Sequence, residues 1–93
     1  MATNIFTNQT ADGLGSVLTS GDAAGHYALT LSGYLDGAFC SILADISGGT
    51  DYVQVGSLSN GKPASLVILP AGAKVTCRLE GAKANTNITV LMG

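Results

Sequence analysis

Residues 73–80 read AKVTCRLE, and in this stretch Val75, Cys77 and Leu79 alternate with Lys74, Thr76, Arg78 and Glu80. Successive side chains of an extended strand point to opposite faces, so the spacing predicts a strand with one dry face and one wet face. The turn residues of LPAG precede it and Gly81 follows it. The same grammar runs through the rest of the chain. Glycine and proline fall at short intervals, leaving little room for a helix of ordinary length. Between the breaks lie segments rich in Val, Ile, Leu, Thr and Tyr: 3–8, 16–19, 26–32, 38–45, 51–57, 64–69, 73–80 and 86–92. Their length and regular spacing predict an all-β domain, a sandwich of about eight short antiparallel strands.

Alternation also predicts the core. Tyr27, Leu29 and Leu31 share one face of their strand, Val53 and Val55 one face of theirs, and Ile88, Val90 and Met92 one face of the last. Residues 38–45, AFCSILAD, break the rule: Cys40, Ile42 and Ala44 fill one face, and Phe39 and Leu43 lie on the other. Both faces call for shelter from water. Collecting the apolar residues left outside the expected core gives Phe39, Leu43, Leu66, Ile68 and Leu91, with Leu18 as a sixth candidate. If these fall on one sheet they form a patch larger than monomers normally show, and such patches mark interfaces. They are therefore the expected residues of an oligomer interface or of a contact with a larger assembly.

The chain of 93 residues makes one domain. Residues 1–9 are expected as an N-terminal arm, polar apart from Ile5 and Phe6, which would anchor it to a neighbouring subunit or to a larger assembly; residues 10–93 form the sandwich. Charged residues are 11% of the chain, less than half the usual share, leaving few groups to solvate a large surface. The net charge is −2, and Lys62, Lys74, Arg78 and Lys83 form no run, which argues against a nucleic-acid partner. No apolar run approaches the roughly 18 residues of a membrane-spanning helix. The opening MATNIFTNQTAD carries no basic n-region or apolar h-region, so a chain used without export is expected, and the sequons at Asn8 and Asn87 read as chance matches. In that setting Cys40 and Cys77 are expected as buried thiols, with a disulfide left open should their strands face each other.

Catalytic chemistry finds little support. His26 is the single histidine, no serine sits in a G-x-S-x-G elbow, and one His with two distant cysteines is a poor zinc set. Asp12-Gly13-Leu14-Gly15 lacks the third glycine of a phosphate cradle and reads as a turn. In DISGGTD, Asp45, Ser47, Gly49 and Asp51 alternate like early calcium ligands. Gly49 has no side chain, however, and Gly56 stands where a bidentate Glu is required, so a hairpin connection is expected. No Trp is present, and Tyr27, Tyr34 and Tyr52 do not cluster as a sugar platform. The expected class is a structural or interaction module: not an enzyme, and without cofactor or metal.

The order FTNQTADGLGS, then Leu31-Ser32-Gly33-Tyr34-Leu35-Asp36-Gly37-Ala38, then DISGGTDYVQVG, LPAGAKVTCRLEGA and the closing NITVLMG resembles small virion proteins of tailed phages. In that group a DGA turn, a GGT hairpin and a late LPAG turn recur in this order over about this length. The resemblance implies a jelly-roll or immunoglobulin-like sandwich and a place on the virion, with the chain made in the host cytoplasm. It also implies capsid decoration, a cement protein bound to the major capsid protein or another virion protein, or else a receptor-binding module of a tail or head fibre. Decoration on local three-fold axes of a shell implies a homotrimer. Strands of the group carry small or polar residues outward; Phe39, Leu43 and Ile68 depart from that pattern.

Overall fold

The computed structural model describes residues 3–21, 25–47 and 49–93. They form nine strands: β1 (Thr3–Gln9), β2 (Gly13–Leu14), β3 (Leu18–Thr19), β4 (Gly25–Tyr34), β5 (Phe39–Asp45), β6 (Val53–Leu58), β7 (Ala64–Leu69), β8 (Lys74–Glu80) and β9 (Asn87–Met92). One sheet has the order β1-β9-β4-β7. The other has the order β2-β8-β5-β6, with β3 also paired to β8. Every pairing is antiparallel. The all-β sandwich is what the alternation predicts, with one extra element: Gly13–Leu14, expected as a turn, pairs with Arg78 and Leu79.

The core lies between the sheets. Leu29, Leu31, Val67, Leu69, Ile88, Val90 and Met92 enter from the first sheet; Cys40, Ile42, Ala44, Leu58, Val75, Cys77 and Leu79 enter from the second. Removing such side chains from water is the main favourable term in folding, about 1.5–3 kcal/mol for each large aliphatic residue. Cys40 lies opposite Leu79 and Cys77 opposite Ile42, so the two cysteines are diagonal neighbours on the core face of adjacent strands. Both are buried free thiols. A hydrogen bond between the two sulfurs, reinforced by burial, pushes the Cys77 thiol up, so it stays protonated.

Four expectations are corrected. Residues 3–9 are no separate arm, because they form β1, an edge strand of the first sheet. Ile5 and Phe6 are buried in this chain's own core and so are not free to anchor it elsewhere. Consecutive residues can both point inward because the β1–β9 register shifts between Asn4 and Phe6: Asn4 pairs Leu91, Phe6 pairs Val90, and Ile5 is the extra residue of a bulge. Met1 and Ala2, the start of the expected arm, lie outside the described residues. Val53 and Val55 are exposed although expected inside: Val53 lies at the start of β6, the edge strand of the second sheet, and Val55 is the extra residue of a bulge between the Ile42–Gly56 and Leu43–Gln54 pairs, so Gly56 takes the inward place. Leu43, expected at an interface, is buried.

Polar side chains pin the connections. Ser20 donates its hydroxyl to the Pro70 carbonyl (2.6 Å) and accepts the Ala73 N–H (2.8 Å), fixing the LPAG turn. Asp12 accepts the N–H groups of Gly81 and Ala82, which ties the β1–β2 turn to the turn after β8. Thr86 donates to the Leu35 carbonyl and accepts from Lys83 N–H. No buried side-chain polar atom is left without a partner among the described residues, so these turns are satisfied and not strained by lost hydration.

Candidate interaction surfaces

Strand order decides where the apolar surplus lands. β5 belongs to the second sheet and β4, β7 and β9 to the first, so Phe39 and Leu43 stand on one outer face and Leu66, Ile68 and Leu91 on the opposite one. The structure does not gather the expected interface residues into one patch. Within each face it separates them further. Phe39 is 72% exposed and Leu43 only 5%. Leu43 sits mid-strand between Thr76 of β8 and Gln54 of β6, with Ser41 and Asp45 on either side along its own strand. Phe39 is at the strand's start, opposite Glu80, where β6 no longer pairs. Ringed by neighbours, Leu43 is dry. Phe39 lacks the ring.

Phe39 borders a concavity of about 500 Å³ whose walls include Leu35, Ser41, Gln54, Ser57 and Asn60. The β4–β5 and β6–β7 connections frame it, and Asn60 clamps them together. Its amide oxygen accepts the Leu35 N–H (2.9 Å), and its amide nitrogen donates to the Gly33 carbonyl (2.9 Å). With Asn60 committed to the backbone, the polar side chains that remain around the concavity are Ser41, Ser57, Ser59, whose hydroxyl accepts the Lys62 N–H, and Gln54, whose amide nitrogen donates to the Gly56 carbonyl (3.4 Å). Alternation flagged Phe39 but missed this framing, which depends on Asn60, in a loop about twenty positions further along the sequence.

On the first sheet, Leu66 and Ile68 are 68% and 72% exposed, and Leu91 is half-buried between Asn4 and Thr30. Leu66 faces Ala28 and Ile68 faces His26 across the β4–β7 pair. His26 therefore stands at a sheet surface beside an aliphatic side chain. Among the described residues, no three His, Cys, Asp or Glu side chains come together as a metal site. Leu18, the sixth candidate, packs partly buried against the core.

The loop after β5 is a hairpin connection between β5 and β6, held by Asp45. Its carboxylate accepts the Ser47 hydroxyl (2.6 Å) and the N–H groups of Ser47 and Asp51 (both 2.8 Å). The Ser47 hydroxyl and then the Asp51 N–H hold the Asp45 carboxyl below its usual range, against a smaller opposing effect of burial. A carboxyl whose folded value is depressed stabilises the fold above its unfolded value, near 3.9, and that contribution disappears as pH falls through the folded value. Denaturant midpoints should therefore show wild type ahead of Asp45→Asn at neutral pH, with the gap closing on acidification below about pH 4. A gap that does not change with pH would mean the carboxylate holds nothing.

No family model, curated protein or solved structure matches this chain.

Proposed function

We propose that this protein is a structural component of a phage virion, a decoration or cement protein that binds the assembled shell as a homo-oligomer and stabilises it. The observation that carries the reading is the placement of large exposed apolar side chains on both outer faces of one small sandwich: Phe39 on one, Leu66 and Ile68 on the other. A module with two opposed sticky faces can hold a shell subunit with one and another copy of itself with the other. The order of turn motifs, DGA, GGT and LPAG, gives the virion its place in the reading. The mechanism is mass action. A protein that binds only the assembled shell stabilises each site by RT ln(1 + [L]/Kd), about 2.7 kcal/mol at a hundredfold excess over Kd.

The Phe39 concavity is the face assigned to the shell. Wild-type protein should co-sediment with particles and raise the temperature at which they release their genome. Phe39→Ser should lose both effects while keeping its β-type circular dichroism, because an exposed side chain contributes little to the fold. Equal protection by Phe39→Ser would sink the assignment of that face. A second reading, a receptor-binding or adhesion module of a fibre, draws support from the same concavity: an exposed aromatic ring beside the Ser41, Ser57 and Gln54 polar groups suits a sugar face. Binding to host cells or glycans by the free protein, with none to particles, would favour it.

A further inference from the structure

Sheet edges are templates for pairing with another chain, and proteins usually blunt them with bulges, breaks, charges or proline. Of the four edges here, β1 carries two register shifts and β6 carries one. The β8 edge is covered only by the two-residue pieces β2 and β3. β7 has none of these devices. Its sequence ASLVIL has no charge and no internal proline, and it pairs with β4 without a shift from Ala64 to Leu69. No strand among the described residues lies on its other side.

Hydrogen-bond alternation says which groups that edge presents. Ala28 exchanges both backbone bonds with Gly93 at the end of β9, and the Leu31 N–H donates to the Pro63 carbonyl on the β7 side. Residues of an antiparallel pair alternate in this way, so Ser65, Val67 and Leu69 bond β4, while Ala64, Leu66 and Ile68 direct their N–H and C=O groups to the open edge.

We infer that the β7 edge binds the β7 edge of a second copy, antiparallel about a two-fold axis at Leu66, joining the two β4–β7 sheets into one. In that register Leu66 faces Leu66 of the other copy and each Ala64 faces an Ile68. All three outward residues then exchange two bonds with their opposites. Neighbouring registers waste groups. A shift one way sets Ala64 against Pro70, which has no N–H; a shift the other way needs Lys62, whose N–H is already given to the Ser59 carbonyl. The outer face fits the same pairing. Ala28, Ala64, Ser65 and Leu66 line a shallow apolar dimple of about 160 Å³, beside the place where the Ile68 opposite Ala64 arrives. No like charges meet along the seam, which is what a strand pairing with itself requires. The contact is isologous and closes at two copies, in place of the three implied by the phage resemblance. It stands independently of the shell reading, because it forms in the free protein.

Analytical ultracentrifugation of the wild type should show a monomer–dimer equilibrium. Leu66→Lys sets two ammonium groups opposite each other on an exposed position and should weaken association at least about 100-fold with the β spectrum intact. Leu66→Cys should give a covalent dimer with oxidised glutathione, since directly opposed residues lie within disulfide reach. Ile68→Cys alone should not, whereas an equal mixture of Ile68→Cys and Ala64→Cys should. Cys40 and Cys77 are buried and do not compete. A wild type that stays monomeric at its solubility limit overturns the inference, as does a dimer indifferent to Leu66→Lys. Cross-linking of Ile68→Cys to itself as readily as Leu66→Cys overturns the register.

Discussion

Leu43→Asp is expected to leave the chain unfolded, with random-coil circular dichroism or insoluble expression. Leu43 is 5% exposed, and Asp45, also buried, lies two residues along the same face of β5. The substitution removes a buried leucine, which costs about 1.5–3 kcal/mol in transfer alone. It also inserts an unpaired carboxylate beside one already held by Ser47 and Asp51. The cations diagonal to it on β8 are Lys74, directly opposite Asp45, and Arg78, directly opposite Ser41 and bridged to Glu80 at 3.9 Å, so neither stands directly against position 43. Breaking the rule that buried charges are paired costs several kcal/mol more. A domain of this size has only about 5–15 kcal/mol to lose. The milder Leu43→Ala should fold at a cost of about 2–5 kcal/mol, and Ile68→Asp, on an open surface, should cost about 0.5 kcal/mol or less. A folded, soluble Leu43→Asp would show that the side chain faces water after all.

The fate of Leu43 shows what periodicity can and cannot read. Alternation in β4, β8 and β9 named the core residues correctly because two strands flank each of them, and the pleat alone decides in from out. Leu43 fails as a surface residue because outward does not mean exposed in the middle of a sheet. Its neighbours Thr76 and Gln54 come from strands far along the chain. Val53 and Val55 fail in the opposite sense: Val53 sits at the start of an edge strand, and Val55 is the extra residue of a bulge that hands the inward place to Gly56. Ile5 and Phe6 defeat a period of two because a bulge resets it between them. The division of Phe39 from Leu66 and Ile68 rests on strand order, a set of long-range pairings that no local pattern encodes. That β7 is an edge rests on the same strand order; the sequence shows only that this short strand carries no charge.

Gly33→Ala should be strongly destabilising, though nothing apolar is lost. Gly33 lies near the end of β4 with φ of +100°, opposite Ile88 of β9. Side chains rarely adopt such a backbone, and holding one there costs of order 1–3 kcal/mol. Strain is the smaller part. A methyl group at this position would overlap the carbonyl oxygen of Asn87 and press on the Ile88 Cα, and these are backbone atoms with no rotamer to yield. Relief requires β4 and β9 to part at their end. That would loosen Ile88, which is fully buried, and disturb the Gly33 carbonyl that receives the Asn60 amide. Losing the pairing, the packing under it and the clamp together should lower the melting temperature by more than about 15 °C, at 4–8 °C per kcal/mol for a domain this small. Gly72→Ala separates the two effects. Its φ of +73° is also positive, but nothing lies within 4 Å of the added atom, so only strain remains. Thermal melts should rank wild type above Gly72→Ala and Gly72→Ala well above Gly33→Ala. Equal melting temperatures for the two variants would mean that β9 does not press against Gly33, and the β4–β9 register would then be wrong at that end.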